Sequence, residues 1–267
     1  MVNYDLVDDL ALARALAAEA DLVSLRRFRA LDLEVTTKPD RTPVTDADRE
    51  VEQTIRAGIT AARPHDAILG EEFGASGESH DEGRPHRQWI IDPIDGTANF
   101  LRGVPIWGTL IALAVDGVPR VGVVSSPALG QSWWAATGHG AYTQRIGEAE
   151  TRMSVSKVAT VADAVVSYNS LPGWWDAGRG DAAISLARSA WRARAIGDMW
   201  AYMLVAEGLI DVATECDLQP YDMAALQPII EEAGGRFTDI EGRPGPWHGT
   251  ALATNGLLHD EALGLLS

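Results

Sequence analysis

No apolar run in this sequence approaches the roughly 18 residues that a bilayer-spanning helix needs. Its first residues, MVNYDLVDDLALARALAAEADLV, carry acids where a secretory leader carries bases. A soluble, unprocessed, cytoplasmic protein is expected. Cysteine is almost missing as well: Cys216 stands alone, so no intrachain disulfide can form, which fits a reducing compartment. A lone cysteine is a small packing residue before it is a nucleophile. Positive charge is scarce. With 22 Lys plus Arg against 38 Asp plus Glu the formal charge is −16, and no basic tract is present to track a phosphate backbone. Neither nucleic acid nor a membrane is an expected partner. The same field repels small anionic substrates, so an enzyme of this composition acting on phosphoesters would need bound cations.

What is present is a chain of 267 residues, enough for one large or two modest domains that bury roughly 70–75% of their extended surface. Leu6, Leu10, Ala13, Ala17 and Ala20 recur at helical spacing within residues 4–29, and VTDADREVEQTIRAGI opens a second helix with Thr45 as its N-cap. Both read as surface helices on a core. Apolar runs at 66–69, 89–91, 106–115, 119–126 and 131–136 predict a sheet, with a hairpin turn at the DG of 116–117. In the second half, strands near 164–168, 191–195, 211–215, 235–239 and 250–253 alternate with helices near 180–190, 197–208, 221–233 and 258–266. That rhythm predicts layered α/β structure. The expected division is an N-terminal α+β part, 1–145, and a C-terminal α/β part, 146–267, joined near the polar GEAETR of 147–152. The segment GASGESHDEGRPHRQ, 74–88, reads as a mobile loop.

Acids gather at the ends of these runs. AILGEEF ends in Glu71 and Glu72, WIIDPIDGT in Asp92 and Asp95, TDAD supplies Asp48, and PYDMAAL places Asp222 at a helix start. Like charges brought together in this way repel, and hard oxygen ligands on strand ends suit Mg²⁺, which binds through a few carboxylates and takes other ligands from water and phosphate. Pro93 keeps Asp92 extended, and Gly96 allows close approach of the backbone to a ligand. A turn after Pro93 would carry Asp95 back toward Asp92. The Ile94 carbonyl and the amides of Gly96 and Thr97 would then face the same space.

Each piece also has a plainer reading. Asp48 and Asp222 could be first-turn helix acids, and Glu71 and Glu72 a solvated strand end. The DPIDGT hexapeptide makes that combination improbable.

On these residues the chain resembles a known family. GEE at 70–72, DPIDGTANF at 92–100 and YDMAALQPIIEEAGG at 221–235 are similar to the three signatures of the inositol monophosphatase family of Mg²⁺-dependent, lithium-sensitive phosphatases. The likeness runs from KPDRTPVTDAD at 38–48 to ATNG at 253–256. It implies a layered αβαβα fold and a site with two or three Mg²⁺ ions. Glu71, Asp92 and the Ile94 carbonyl would hold one ion, and Asp92, Asp95 and Asp222 another. Thr97 and Asp48 would orient and deprotonate the attacking water, with Lys38 nearby, while the amides of Gly96 and Thr97 would hold phosphate oxygens. No covalent phosphoenzyme is required. A homodimer is the assembly the resemblance implies.

Two departures from the pattern stand out. Pro228 lies inside the helix expected over 221–233, where it should kink it, and Tyr221 replaces the tryptophan usual before the last metal aspartate. Substrate choice is read from RAIGDMWAYMLVAEG, whose Gly197, Asp198 and Tyr202 are similar to the histidinol-phosphate phosphatase branch. An extra carboxylate at Asp198, with Glu215 at the family's leaving-group position, suits a substrate carrying an ammonium and an imidazole. Asp198 could instead, or also, cap the helix that follows. Trp174, Trp175 and Trp200 could stack on the imidazole, although most of the nine tryptophans belong in the core. The expected activity is hydrolysis of L-histidinol phosphate, an intermediate of histidine biosynthesis. Inositol 1-phosphate and other sugar or nucleotide phosphates are the alternatives within the family, and an inert acidic metal-binding scaffold is the alternative outside it.

Overall fold

The structure, a computed structural model, describes residues 5–37, 43–77 and 85–267. Lys38 and residues 78–84 of the polar segment lie outside the described residues. In chain order the first part runs α1 (Leu6–Arg27), β1 (Val35–Thr37), β2 (Pro43–Thr45), α2 (Asp46–Ala62), β3 (Ala67–Gly70), β4 (Gly74–Ser76), β5 (Arg87–Asp95), α3 (Thr97–Arg102), β6 (Gly108–Val115), β7 (Val118–Ser126), β8 (Gln131–Ala136), β9 (Ala141–Arg145) and β10 (Thr151–Arg152). The rest runs β11 (Val165–Ser167), α4 (Leu171–Asp176), α5 (Gly180–Ser189), β12 (Arg192–Arg194), α6 (Asp198–Ala206), β13 (Val212–Cys216), α7 (Pro220–Met223), α8 (Leu226–Glu232), β14 (Arg236–Thr238), β15 (Thr250–Thr254) and α9 (His259–Leu266).

An eight-stranded sheet has the order β10-β9-β8-β7-β6-β5-β3-β4, and a five-stranded sheet the order β12-β11-β13-β15-β14. The central strands of the larger sheet are apolar on both sides because helices cover both faces. Trp89 and Ile91, Ile111 and Leu113, and Trp134 face α1 and α2 and meet Leu16, Val51 and Ile55. Their neighbours Ile90, Leu110, Ala112 and Trp133 point the other way, into a core shared with α6, α8 and the inner face of the small sheet. Trp174, Leu186, Val212, Leu252 and Leu266 close the outer face of the small sheet under α4, α5 and α9. The layers are therefore helix, sheet, helix, sheet, helix. This is the expected αβαβα arrangement, and Asp92 and Asp95 at the end of β5 meet Asp222 of α7.

Local expectations fare differently. Thr45 caps α2, its hydroxyl accepting the Ala47 and Asp48 amides at 3.1 and 3.4 Å. The 116–117 turn has both residues at positive φ, 52° and 77°, as a tight hairpin between β6 and β7 requires. The expected loop over 74–88 is corrected at both ends, since Gly74–Ser76 pairs with β3 as an edge strand and Arg87 and Gln88 already belong to β5. No single helix spans 221–233. The helix is interrupted at Ala224 and Ala225, one turn before Pro228, whose missing N–H leaves the Ala224 carbonyl without its helical donor, so the interruption expected from this proline is present and divides the segment into α7 and α8. The break also lets the Ala225 carbonyl and Pro228 ride directly over Gly122 of β7. A Cβ on Gly122 would come within 2.1 Å of that carbonyl.

Candidate active site

Asp92 and Asp95 end β5, and they reach one face of the sheet by a β-bulge, not by a turn. Residues three apart on a regular strand point to opposite faces. Here Asp92 pairs with Leu110 and Asp95 with Gly108, so three steps on β5 oppose two on β6. The extra residue restores a common side for both carboxylates. Pro93 suits a bulge because it needs no ladder donor, and its carbonyl is taken by the Thr109 hydroxyl at 2.8 Å.

Asp222 comes from the short helix α7, where its Oδ2 accepts the Gln219 amide at 2.7 Å. Asp48 is held in the same way at the start of α2, with Oδ2 accepting the Thr45 amide at 2.8 Å and the Thr45 hydroxyl at 2.5 Å. Both acids thus fill the helix-start role suggested for them, and that role aims the carboxylates. Asp92, Asp95 and Asp222 each place an oxygen within 4.8 Å of the others. The Oδ1 of Asp92 is buried with no hydrogen-bond partner among the described residues. Three hard anionic donors around an unsatisfied buried oxygen fit a divalent cation, and no soft ligand intrudes.

Electrostatics agree with that fit. Burial pushes the Asp92 carboxyl well above the usual carboxylate range, and Glu71, Asp95, Asp222 and Asp48 add to the rise. Burial also raises Asp95, reinforced by Asp198 and Asp222 and opposed by the Met199 amide, which donates to its Oδ2 at 2.5 Å. Asp48 is raised to about 6, first by burial and against its bonds from Thr45. The Thr97 hydroxyl stands between Asp48 Oδ1 at 3.3 Å and the Ile94 carbonyl at 3.0 Å. Gly96, left-handed at φ 83°, precedes it and begins α3 with no side-chain cap.

On the far side Asp198 and Glu215 line a cleft of about 190 Å³ together with Asp95, Asp222 and Tyr202. Asp198 is not the cap of α6: that position is Gly197, and the Asp198 carboxylate instead accepts the Asn99 side-chain amide at 2.6 Å. Its backbone is left-handed at φ 55°, a conformation Asp and Asn tolerate better than most residues. Glu215 accepts the side-chain amide of Asn169, another residue at positive φ. Burial raises Asp198 to about 6 and Glu215 to about 8. The Tyr202 hydroxyl is buried beside Glu215, and its hydrogen bond to that carboxylate works against the rise caused by burial.

Asn99 and Asn169 were not among the residues singled out from sequence. Asn99 stands inside the DPIDGTANF signature and was legible there, whereas Asn169 carries no local signal. A neighbouring cleft of about 420 Å³ is lined by both, with Trp200 and Ile196. Trp174 is core, its ring nitrogen donating to the Tyr168 carbonyl at 2.8 Å, and Trp175 is 53% exposed. Cys216 is buried with its thiol pushed up to about 11, chiefly by burial, as suits a packing residue.

A pH dependence follows. These carboxyls hold protons more tightly in the folded chain than in the unfolded one, so with cations removed the folded state keeps protons that the unfolded state has released. Metal-free stability should therefore decline as pH rises from the ordinary carboxylate range through about 6, for Asp48 and Asp198, to about 8, for Glu215. Melting temperatures in chelator between roughly pH 5 and pH 8 check the sign. A metal-free protein that gains stability across that window would contradict this account of the cluster.

Comparison with known proteins places the chain in a family. Residues 5–266 match the profile of the inositol monophosphatase family. The histidinol-phosphatases of Mycobacterium tuberculosis and Streptomyces coelicolor are 54% and 52% identical, over 96% and 98% of both chains. Among solved structures, an inositol monophosphatase from Zymomonas mobilis superposes with a TM-score of 0.84 at 31% identity, covering 99% of each chain. An extragenic suppressor protein from Bartonella henselae reaches 0.85 at 28% identity, with 96% of this chain and 97% of that one covered. With its whole length matched and its acids gathered at the ends of both sheets, the chain belongs to the inositol monophosphatase family.

Proposed function

We propose that this protein is a Mg²⁺-dependent histidinol-phosphatase, converting L-histidinol phosphate to L-histidinol and phosphate in histidine biosynthesis. The observation that carries the reading is that the cation-type acids Asp95 and Asp222 share one cleft with a second pair, Asp198 and Glu215. A phosphate held at the first pair puts the organic part of the substrate against the second. The relatives named histidinol-phosphatase, at more than half identity, support the same substrate.

In this reading Glu71, Asp92, the Ile94 carbonyl, Asp95 and Asp222 hold two or three Mg²⁺ ions. When bound, Mg²⁺ supplies positive charge for the phosphoryl oxygens and makes water more acidic. Thr97 has one hydroxyl proton and two acceptors, Asp48 and the Ile94 carbonyl. Donating to Asp48, its oxygen lone pairs face outward to accept from the attacking water, and the proton passes toward a carboxylate already disposed to take one. The Gly96 and Thr97 amides hold phosphate oxygens. Lys38, which the family resemblance puts beside the water, completes the set. Asn99 and Asn169 keep Asp198 and Glu215 facing the ammonium of the leaving alcohol. The same reading implies a cytoplasmic homodimer with no nucleic-acid or membrane partner.

Asp198→Asn tests the substrate assignment. The variant keeps a side-chain acceptor for Asn99 and tolerates the left-handed backbone, but loses a charge-assisted bond worth about 1.5–3 kcal/mol, or roughly ten- to 150-fold in kcat/KM. That loss is expected on histidinol phosphate and not on a phosphomonoester without an amine. Equal losses on both would assign Asp198 to general catalysis. A release panel that includes inositol 1-phosphate and fructose bisphosphate completes the test, and faster turnover of either would displace histidinol phosphate as the substrate.

A further inference from the structure

We propose that Glu52 and Arg56, one turn apart on α2, are positioning residues that set the cation affinity of the site by holding the backbone of the turn that carries Glu71. Read from sequence, α2 was a surface helix. Glu52 is nevertheless completely buried. Its carboxylate accepts the Glu72 amide at 2.6 Å and the Phe73 amide at 3.3 Å, and pairs with Arg56 Nε at 2.6 Å. The rest of the Arg56 guanidinium reaches past it, donating to the Gly74 carbonyl and to the Ser76 hydroxyl, the latter at 2.7 Å. From the other side the Glu71 amide donates to the Ile91 carbonyl of β5 at 3.2 Å.

Two side chains of one helix thus tie down most of the β3–β4 turn just beyond Glu71. Gly70 makes room for this, since a Cβ there would lie 1.9 Å from the Glu52 carboxylate. The Glu72 and Phe73 amides need an acceptor and the Gly74 carbonyl a donor, so apolar residues could not replace the pair, which supplies both from one helix. What the pair adds is direction: fixed amides fix the backbone from which the Glu71 side chain leaves. Partners behind a metal ligand typically alter metal affinity about 10–100-fold when removed. The inference rests on the reading that Glu71 binds a cation.

The test is direct Mn²⁺ binding to the full chain, followed by the electron paramagnetic resonance of the free ion well below the melting temperature. Arg56→Lys conserves charge but gives up the Gly74 and Ser76 bonds, Glu52→Gln removes the charge, and Glu71→Gln is measured alongside. Both α2 variants should bind Mn²⁺ roughly ten- to 100-fold more weakly, with kcat at saturating Mg²⁺ near the parental value. Should Glu52→Gln not fold, Arg56→Lys decides alone. Unchanged affinity in a variant whose melting temperature falls would make the pair merely structural and overturn the proposal. Weakening in Glu52→Gln alone would also overturn it, by assigning the effect to the field of one charge. If Glu71→Gln leaves Mn²⁺ affinity intact as well, the reading of Glu71 falls and the proposal with it. Weakening in Glu71→Gln but in neither α2 variant rejects only the proposal.

Discussion

Replacing Asp95 by Asn should lower kcat/KM by about 10³-fold or more on any phosphomonoester, and it should do so without destabilising the metal-free protein. The Asp95 carboxylate is one of three whose oxygens lie within 4.8 Å of each other. Its amide would present N–H donors where a cation needs an acceptor. Electrostatic stabilisation by a bound cation supplies several kcal/mol, and each 1.36 kcal/mol is tenfold in rate, so losing one cation accounts for about three decades. Stability moves the other way. Asp95 is repelled by Asp198 and Asp222, so a neutral side chain relieves the cluster while Asn can still accept the Met199 amide. In chelator the variant should melt at or above the parental temperature, and the rise that Mg²⁺ gives the parent by binding the folded state should shrink or vanish. Activity within a few fold of the parent, or a lower melting temperature in chelator, would defeat this view of Asp95.

Gly96→Val should cost about 10²-fold or more in kcat, again on every substrate, while leaving cation binding largely in place. Gly96 is left-handed at φ 83°, which costs a residue with a Cβ about 1–2 kcal/mol. That Cβ would also stand 3.1 Å from the Ile106 carbonyl and 3.2 Å from Asp198 Oδ2. The strain falls on the amides proposed for the phosphate and on the carboxylate proposed for the ammonium at once, and a misplacement of about 1 Å at reacting groups costs on the order of 10²-fold. Mn²⁺ titration separates the two variants: Asp95→Asn should lose affinity and Gly96→Val should keep most of it. Unchanged kcat in Gly96→Val would remove Gly96 from the phosphate site. A loss confined to histidinol phosphate would trace the effect to the displaced Asp198 alone.

Much of the candidate site was legible because its geometry is local. The DPIDGT run carries within six residues the two acids, the proline that suits a bulge and the glycine that suits a left-handed bend. Asp48 follows Thr45 by three positions, and Asp222 stands at a helix start, so short-range capping aims both. The 116–117 hairpin and the Thr45 cap are equally local. Other readings missed for the opposite reason. Helix α2 reads from its spacing as a surface helix, yet Glu52 is fully buried because it takes the amide of Glu72, 20 residues further on. Asp198 could be read as a cap, because nothing near it announces that Asn99 holds its carboxylate instead.

What the sequence by itself determined is therefore the inventory: an acid-rich composition, alternating elements, and a set of hard oxygen donors of the kind that suits a divalent cation. The tertiary structure alone decided how these meet. Asp95 takes the Met199 amide across 104 residues, Asn99 reaches Asp198 across 99, and Glu52 clasps the turn after Glu71 across 20. Periodicity and capping report which residues turn inward and where a helix starts, since those depend on neighbours within about one turn of chain. They carry no information on which distant carboxylate an amide will face, because that partner is selected by the stacking of five layers and by the cost of leaving a buried polar group unpaired.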